Sequence, residues 1–477
     1  MSFASPLFLW YFLPATLVAY WVLPARARNA LLSVVSLVFY VFGGLSFVFA
    51  LITVIAVNYA AGLAIDSERM HQQLGRRKAL LVATVGFDLS ILAIWKYAGF
   101  ASTQVHNLAK AFGDDTSPIL HVALPIGISF FTFHHLSYVV DVYRHSRRAQ
   151  RSPVQFITYI AMFPQLVAGP IVRYHEIADQ LATVPRNRFE DFAAGMPRFS
   201  LGLAKKVIVA DTVAPIVDTV FRLDSSIVTT PVAWLGVAAY TLQIYFDFSG
   251  YSDMAIGLAR MFGFKFPENF NRPYSSVSIT DFWQRWHMSL SRWFRDYLYI
   301  PLGGNRGSRF STYRNLWIIF VASGFWHGAA WTFLIWGMYH GGWLVIERAT
   351  GLAKIPDDRW VVPRRAVTLV LVMIGWVFFR ASGVTEAGHV LQRMFVWHGG
   401  PVPAEVSTVL TDFRTLVFAL ACLVVLVPRR FVMGKLLDDG RSTVASGLRI
   451  AYTGIAAPYA AVVVAAGTLS PFLYFKF

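Results

Sequence analysis

Long apolar stretches recur from one end of the chain to the other, and short polar loops separate them. In lipid, every backbone N–H and C=O must find a partner within the protein, so stretches of this length are predicted to be transmembrane helices. The first, residues 4 to 24, lacks the basic start and cleavage site of a signal peptide. The pattern predicts an all-α polytopic membrane protein with about 10 to 12 transmembrane helices, in a single domain over residues 1–477. The other predicted spans are residues 30–44, 46–65, 79–96, 119–142, 207–222, 231–262, 313–330, 333–346, 366–380, 413–428 and 450–468.

Basic loops alternate with loops that are not basic, which predicts an orientation. Arginine and lysine concentrate at residues 26–28, 66–78 and 144–151, whereas the loop with Asp114 and Asp115 contains a single lysine. Cytoplasmic loops carry the excess of positive charge. The N-terminus is therefore predicted to lie outside, with these basic loops in the cytoplasm. The segment 265–314 and the basic loops at 348–365 and 429–441 are predicted to face the cytoplasm as well.

The alternation fails at residues 154–171, which are apolar but are followed by another basic segment that includes Arg173 and Arg186. A complete crossing would place those charges outside. Pro164, Gly169 and Pro170 also interrupt any continuous helix. We expect a re-entrant hairpin, which must be buried in protein or line a water-filled cavity.

Composition supports the membrane assignment. The chain is 56% hydrophobic and only 14% charged, which a water-soluble domain could not cover with polar surface. The net charge of +16 could suggest nucleic acid, but the basic residues occupy short loops, where they orient the protein and meet lipid headgroups. Nucleic-acid binding is not expected. One cysteine, Cys422, excludes an intramolecular disulfide.

Two histidines follow tryptophans, and they are the first candidates for chemistry. The second, His327, lies within an apolar run, where an ionisable ring is costly unless it has a partner or a task. A buried neutral imidazole is a competent general base near neutral pH. The alternative is a core histidine bonded to a backbone carbonyl. Gly324 and Gly328 flank it and permit close helix approach or a broken helix turn, and either would leave room for a ligand.

The first, His287, lies in residues 281–299, which we interpret as one amphipathic helix at the cytoplasmic interface. At about 100° per residue, one stripe is aromatic, and Arg285 and Arg292 lie opposite. His287 falls at the border of the two faces. An interfacial anchor at headgroup level and a functional role are equally compatible with this pattern.

Other kinds of site find little support. His327 and His340 do not have chelating spacing, so no metal site is predicted. Neither a serine-hydrolase elbow nor a nucleotide-binding loop is present in the sequence. Asp247 and Asp253 interrupt an apolar run and need partners, for which the arginines near His287 are candidates. A structural polar network is the alternative for these acids.

Several motifs, in this order along the chain, resemble the membrane-bound O-acyltransferase family. The resemblance is closest to its bacterial branch, which includes the membrane subunit of alginate O-acetylation and the D-alanyl transferase of teichoic acids. The motifs are residues 125–130, 163–170, 245–257, 269–274 and 282–287, Arg295-Asp296-Tyr297, Gly303-Gly304-Asn305-Arg306 and Trp326-His327-Gly328.

The resemblance implies a ring of helices around a thin centre, with re-entrant segments and a tunnel through the membrane. It implies that His327 is catalytic and that His287 lies on the cytoplasmic side of the tunnel. The expected activity is transfer of acetyl from cytoplasmic acetyl-CoA, with no bound cofactor, to hydroxyls of an exported, alginate-like polysaccharide at a bacterial inner membrane. The candidate residues for binding donor or substrate are Trp326, Arg285, Arg292, Asp253, Tyr251, Asn269, Asn305 and Arg306.

Two alternatives stay open. The chain could export a polysaccharide or lipid without chemistry, although proton-coupled transporters usually place carboxylates, not a histidine, at mid-span. It could also move the acyl group across the membrane to a periplasmic acetyltransferase or polysaccharide-synthesis partner. The acceptor polymer, the acyl length and the oligomeric state do not follow from the sequence.

Overall fold

The structure, a computed structural model, describes residues 1–182, 188–354, 358–427, 433–438, 443–467 and 472–473. All regular secondary structure in these residues is helical, which confirms the all-α prediction. The chain divides into two compact units: Met1–Gly195 with Leu258–Pro267, and Met196–Gly257 with Glu268–Phe477. Arg186 and most of the basic loop predicted at 429–441 lie outside the described residues.

The first unit contains nine complete helices among its described residues. A π-helical turn, Phe8–Phe12, leads into the first of them without interruption. The helices are α1 (Leu13–Val22), α2 (Arg28–Val41), α3 (Leu45–Ile65), α4 (Glu68–His71), α5 (Leu74–Ala111), α6 (Ile128–Tyr143), α7 (Pro153–Ala161), α8 (Phe163–Leu166) and α9 (Tyr174–Ala182).

Two helices, α10 (Arg188–Ala204) and α12 (Thr230–Met261), contribute residues to both units. The remaining helices belong to the second unit, and a π-helical turn, Lys205–Ala210, precedes α11. They are α11 (Asp211–Val220), α13 (Ile279–Trp283), α14 (Met288–Phe294), α15 (Arg309–His327), α16 (Trp331–Thr350), α17 (Asp358–Arg380), α18 (Val384–Phe395), α19 (Ala404–Val409), α20 (Asp412–Leu426), α21 (Met433–Asp438), α22 (Thr443–Ala451) and α23 (Ala457–Ala465).

Four helical segments in the described residues are long and apolar enough to cross a membrane: Leu45–Ile65, Leu74–Ala111, Arg359–Arg380 and Thr443–Ala465. The other predicted spans coincide with helices that are shorter or more polar. The largest differences between predicted and observed boundaries are at two spans. The fourth span is part of a longer helix, and the fifth begins at Ile128, not at residue 119. Gly127 begins that helix at a φ of 78°, and a Cβ there would overlap the carbonyl of Leu166.

The run at 154–171 is broken as predicted. Helix α7 ends at Ala161, α8 is a single turn, and the chain that follows up to α9 has no regular secondary structure. Its interior is almost fully buried, with Tyr159, Phe163 and Gln165 each at 0% exposure. Burial inside protein is the condition under which broken backbone is tolerated at membrane depth.

The same run returns to the end of the unit from which it started. Before the run, Arg147 pairs with Asp179, which follows it, at 2.7 Å. The Tyr174 hydroxyl likewise donates to the carbonyl of Arg148 at 3.1 Å. The hairpin geometry is therefore confirmed, whereas its depth in a bilayer stays a prediction.

Loops predicted to share a membrane face also meet in this unit. The Arg77 guanidinium donates to the carbonyl of Tyr143 at 2.7 Å, and Arg148 pairs with Asp66 at 3.3 Å. The basic loops at 66–78 and 144–151 thus lie at one end, as the alternation of loop charge requires.

Candidate active site

His327 is the last residue of α15, and its imidazole is 4% exposed. The helix ends there because Gly328 is extended, and α16 begins three residues later at Trp331. Three aromatic rings surround the imidazole, with centroid distances of 4.7 Å to Trp326, 4.9 Å to Trp336 and 5.1 Å to Phe379. His327 is therefore held in an aromatic cage, not on a solvated surface.

Glycines let α15 and α16 approach closely beside this cage. A Cβ on Gly324 would overlap the carbonyl oxygen of Phe333, and one on Gly337 would overlap that of Phe320. The Phe333 ring occupies the space beside Gly328. Gly324 therefore allows close helix approach, and the helix is broken at Gly328, where the Phe333 ring fills the space beside the glycine.

His287 lies at a break between two short helices. Helix α13 ends at Trp283 and α14 begins at Met288, with His287 at a φ of 45°. The prediction of one continuous helix over 281–299 is therefore wrong. His287 is 0% exposed, so the interpretation as a solvated headgroup anchor is wrong as well. A left-handed residue with a Cβ costs about 1–2 kcal/mol, so surrounding contacts must hold this conformation.

Asn269 supplies those contacts. Its side-chain oxygen accepts from the Ser289 backbone nitrogen at 3.2 Å and from the Ser289 hydroxyl at 2.8 Å. Its amide nitrogen donates to the Ser252 hydroxyl at 3.0 Å, and its carbonyl oxygen accepts from the Met288 nitrogen at 2.9 Å. Asn269 thus positions the start of α14.

The side-chain oxygen of Asn269 also determines the tautomer of His287. It lies 3.1 Å from Nδ1, and because an amide oxygen can only accept, Nδ1 must carry a proton. The lone pair of the neutral ring is then on Nε2. Burial lowers the pKa of His287 to about 3, so the ring is neutral at physiological pH.

One indole contacts both histidines. The Trp326 ring lies 4.7 Å from that of His327 and 6.0 Å from that of His287, measured between centroids. The Phe248 ring also contacts His287, at 4.8 Å between centroids. The two Trp-His pairs, which are 40 residues apart in sequence, therefore form one buried cluster.

A third buried histidine, His340, belongs to the same aromatic cluster. Its ring lies 5.1 Å from Trp336, which also contacts His327. Its Nε2 faces Gly375, where any side chain would collide with it. His327 and His340, whose spacing in sequence is not that of metal ligands, lie on the two helices α15 and α16, and both rings contact Trp336. No group of three histidine, cysteine or acidic side chains in the described residues is arranged to hold a metal.

The intramembrane acids have partners that the sequence did not indicate. Asp253 pairs with Arg198 at 2.7 Å and with Lys205 at 2.6 Å. Asp247 pairs with Lys206 at 2.7 Å. The proposed partners, the arginines near His287, were therefore wrong. The sequence did contain a signal for these ion pairs, namely basic residues within apolar stretches. A buried acid requires a partner of opposite charge.

The remaining candidates are dispersed. Arg285 pairs with Asp281 at 2.6 Å, and Arg292 donates to the carbonyl of Glu268 at 3.1 Å. Both hold the connecting segment in place. Tyr251 is buried, and its ring stacks on Phe472 at 4.3 Å. Asn305 and Arg306 are exposed in the turn before α15.

A cavity of about 280 Å³ lies against the helix that carries His327. Ser323, one turn before His327, lines it together with Phe320 and Trp283, and Trp283 contacts Trp336 at 5.5 Å. Arg348 adds positive charge to its lining, whereas Arg295, which also lines it, is paired with Asp296 at 2.7 Å. A second cavity of about 210 Å³ is lined by Arg198, Lys205, Asp253 and Arg272, among others. Sequence reasoning did not identify either cavity.

Comparison with known proteins identifies the family. The model of the membrane-bound O-acyltransferase family matches residues 128–380, which include His287, His327 and His340. The chain belongs to the membrane-bound O-acyltransferase family. The histidine cluster and the 280 Å³ cavity thus lie within the matched region of this O-acyltransferase.

Relatives of this O-acyltransferase cover most of its length. It is 45% identical over 431 residues to the probable alginate O-acetylase AlgI of Azotobacter vinelandii, an alignment that covers 90% of this chain and 84% of that protein. It is 36% identical to the peptidoglycan O-acetyltransferase of Helicobacter pylori, over 84% of this chain and 80% of that protein. It is 28% identical to the teichoic acid D-alanyltransferase of Bacillus subtilis, over 53% and 68%.

Proposed function

We propose that this protein transfers acetyl from cytoplasmic acetyl-CoA to a hydroxyl of an exported polysaccharide, alginate or a similar polymer, directly or through an extracytoplasmic partner. Its place would be a bacterial inner membrane, with the N-terminus outside. The proposal rests on the position of His327. This histidine is buried, and Ser323, one helical turn before it, lines a cavity whose lining also includes arginines. We infer from the names of the relatives that the transferred group is acetyl and that the acceptor is a polymer.

The chemistry assigned to His327 is general-base catalysis. The acceptor hydroxyl loses its proton to the imidazole as its oxygen forms the ester bond to the acetyl carbon. The carbon–sulfur bond of the thioester breaks, and the proton passes from the imidazole to the leaving thiolate, so the products are the ester and a free thiol. Proton transfer by a positioned side chain contributes about 10²- to 10⁴-fold to rate.

The donor is assigned to the 280 Å³ cavity. Its aromatic and aliphatic lining, including Phe320 and Leu290, suits the apolar arm of an acyl thioester, and the guanidinium of Arg348 suits a phosphate. Arg285, Arg292 and Arg306 add to the positive field that attracts an anionic donor. His287 orients the donor side of the site through the indole it shares with His327.

The test compares polymer acetylation in cells carrying His327→Gln with that in wild-type cells at matched protein level. We expect a loss of at least about 100-fold, in line with removal of a general base. His135→Gln serves as the control, because that ring is also buried but lies in the other unit, and acetylation should persist. Unchanged acetyl content in His327→Gln would refute the assignment of His327 as the general base.

A second experiment tests whether the acetyl group is passed to a partner protein. Purified protein in nanodiscs, supplied with labelled acetyl-CoA and polymer, should acetylate the polymer if transfer is direct. If label reaches the polymer only when the periplasmic partner is added, the partner carries out the final step.

A further inference from the structure

The 210 Å³ cavity of the second unit lies where helix α20 ends. Val424 and Val425 of α20 line it, together with Val427, the residue at which the helix is capped. Its volume is below the range of about 300–1,000 Å³ that is usual for sites that enclose a whole small molecule. It therefore suits one charged group of a larger ligand. Its charged lining consists of Arg198, Lys205, Asp253, Glu268 and Arg272.

This lining contains three cations and two carboxylates, which leaves one positive charge in excess. Asp253 pairs with Arg198 at 2.7 Å and with Lys205 at 2.6 Å. Glu268 also pairs with Arg198, at 2.7 Å. Two of the cations thus balance both acids, and the third, Arg272, makes the cavity attractive to an anion.

Arg272 holds the end of α20 through its guanidinium. Its Nη2 donates to the carbonyl of Val424 at 2.9 Å and to that of Val427 at 2.6 Å. A cation is favourable at this position, because the last carbonyls of a helix carry partial negative charge. Both bonds use one nitrogen of a planar group that presents five N–H donors. The same guanidinium can therefore hold the helix end and bind an anion.

Loop charge predicts that this cavity faces the cytoplasm. Arg272 belongs to the basic segment 265–314, and α20 leads into the basic loop at 429–441. Both segments are predicted to be cytoplasmic. The cytoplasmic leaflet contains anionic lipids, whose headgroups bind basic pockets between helices on this side of a membrane.

Helix α20 has one face packed on protein and another face exposed. On the packed side, Ala421 lies in one apolar cluster with Leu242 and Phe246 of α12. The exposed face forms an apolar stripe that leads along the helix to the cavity wall. In a bilayer, this stripe would contact lipid acyl chains. Its residues are Leu416, Leu420, Leu423 and Val424.

We propose that this cavity binds the phosphate of an anionic glycerophospholipid, such as phosphatidylglycerol, with Arg272 as the phosphate ligand and the acyl chains along the exposed face of α20. A guanidinium binds a phosphate through two parallel hydrogen bonds. A zwitterionic lipid adds an ammonium group, which the excess positive charge of the lining disfavours. This binding does not depend on the acyl transfer proposed above.

The lipid would stabilise a segment that leads to the histidine cluster. Arg272 has a φ of 49° and lies three residues after Asn269, which positions His287. The Asn271 nitrogen between them donates to the carbonyl of Arg285 at 2.9 Å. A residue with a Cβ is strained in the left-handed region, so a ligand that binds Arg272 in this conformation stabilises the folded segment.

The experiment measures lipid binding to the purified full-length protein by native mass spectrometry. The probes are phosphatidylglycerol and phosphatidylcholine with the same acyl chains. We expect Kd of the tightest site to be at least about tenfold lower for phosphatidylglycerol. Arg272→Gln should remove most of this preference. Arg272→Lys should retain part of it, because the charge is kept, which separates anion binding from the role of the guanidinium in holding α20.

Arg364→Gln is the matched control. The Arg364 guanidinium also donates to backbone carbonyls, those of Leu352 and Lys354, but it does not line the cavity. This variant should keep the wild-type preference. Thermal unfolding confirms that each variant is folded, and phosphatidylglycerol should raise the midpoint of wild type more than that of Arg272→Gln.

Three results would overturn the assignment: equal Kd for the two lipids in wild type, an unchanged preference in Arg272→Gln, or displacement of bound phosphatidylglycerol by CoA. The last would assign the cavity to the phosphates of the acyl donor. None of these measurements involves acetyl transfer. If His327→Gln retains acetylation, the proposed general base therefore fails independently of the lipid result.

Discussion

Asn269 and His287 together form the most constrained pair of residues in the site. The asparagine oxygen accepts from Nδ1 of the imidazole and from two donors of Ser289, and the histidine adopts a left-handed conformation at the start of α14. Because the oxygen cannot donate, the ring has one tautomer, with its Nε2 lone pair directed away from Asn269. Asn269 therefore acts through His287, as a positioning residue.

Replacing Asn269 with aspartate tests this role. Asn269→Asp keeps an acceptor beside Nδ1 but adds a negative charge, which should raise the pKa of His287 from about 3. The ring is protonated below its pKa, so a higher pKa means that the neutral ring is lost at a higher pH. Activity that needs the neutral ring should therefore be lost at a higher pH than in wild type when the pH is lowered. The acid limb of the pH dependence of kcat/KM should move upward relative to wild type. An unshifted acid limb in a folded variant would contradict the role.

Helices α15 and α16 cross where glycines replace side chains. Gly324 and Gly337 bring the two backbones together, and the crossing holds Trp326 and His327 on one helix against Trp336 on the other. In lipid, association of helices depends on such close packing, because the surroundings are as apolar as the side chains. The cage around His327 follows from this crossing.

Adding one methyl group at the crossing should separate the helices. Gly337→Ala places a Cβ against the carbonyl of Phe320, and overpacking of this kind costs about 1–3 kcal/mol. We expect a lower midpoint of thermal unfolding in detergent, together with reduced acetyl transfer. Gly342→Ala, on the same helix but with ordinary contact distances around it, should behave as wild type. Equal midpoints for the two variants would argue against the crossing.

Sequence patterns predicted the long helices well. They failed where contacts between residues far apart in the sequence determine the local structure. Apolar length alone indicated Leu45–Ile65 and the helix Thr230–Met261. The helical periodicity of polar and aromatic residues predicted one continuous helix over 281–299, because this periodicity continues across the break between α13 and α14. Asn269, which lies outside that window, stabilises the left-handed residue that interrupts it. No local pattern contains that information.

At the scale of the whole molecule, the net charge of +16 is not confined to loops. Arg198, Lys205 and Lys206 are ion-paired with acids in the interior of the second unit. Such pairs contribute nothing to the positive-inside signal, which depends on loops near the membrane ends. The orientation must therefore be judged from exposed loops only.

Cysteine labelling tests the orientation. In a Cys422→Ser background, Ile227→Cys places a thiol at an exposed site in the loop before α12, and Arg309→Cys places one at the exposed start of α15. We expect a membrane-impermeant maleimide to label Ile227→Cys in intact spheroplasts and Arg309→Cys only after permeabilisation. Labelling in the reverse order would invert the assignment of both faces.

The indole shared by His287 and His327 has a consequence for genetics. Trp326 contacts both imidazoles, so we expect that removing either one changes the packing of the indole against the other. Losses from single substitutions in residues that touch are not additive. The phenotype of one histidine variant is then partly that of the other, and only a double-mutant cycle that includes Trp326 can assign separate contributions to donor orientation and proton transfer.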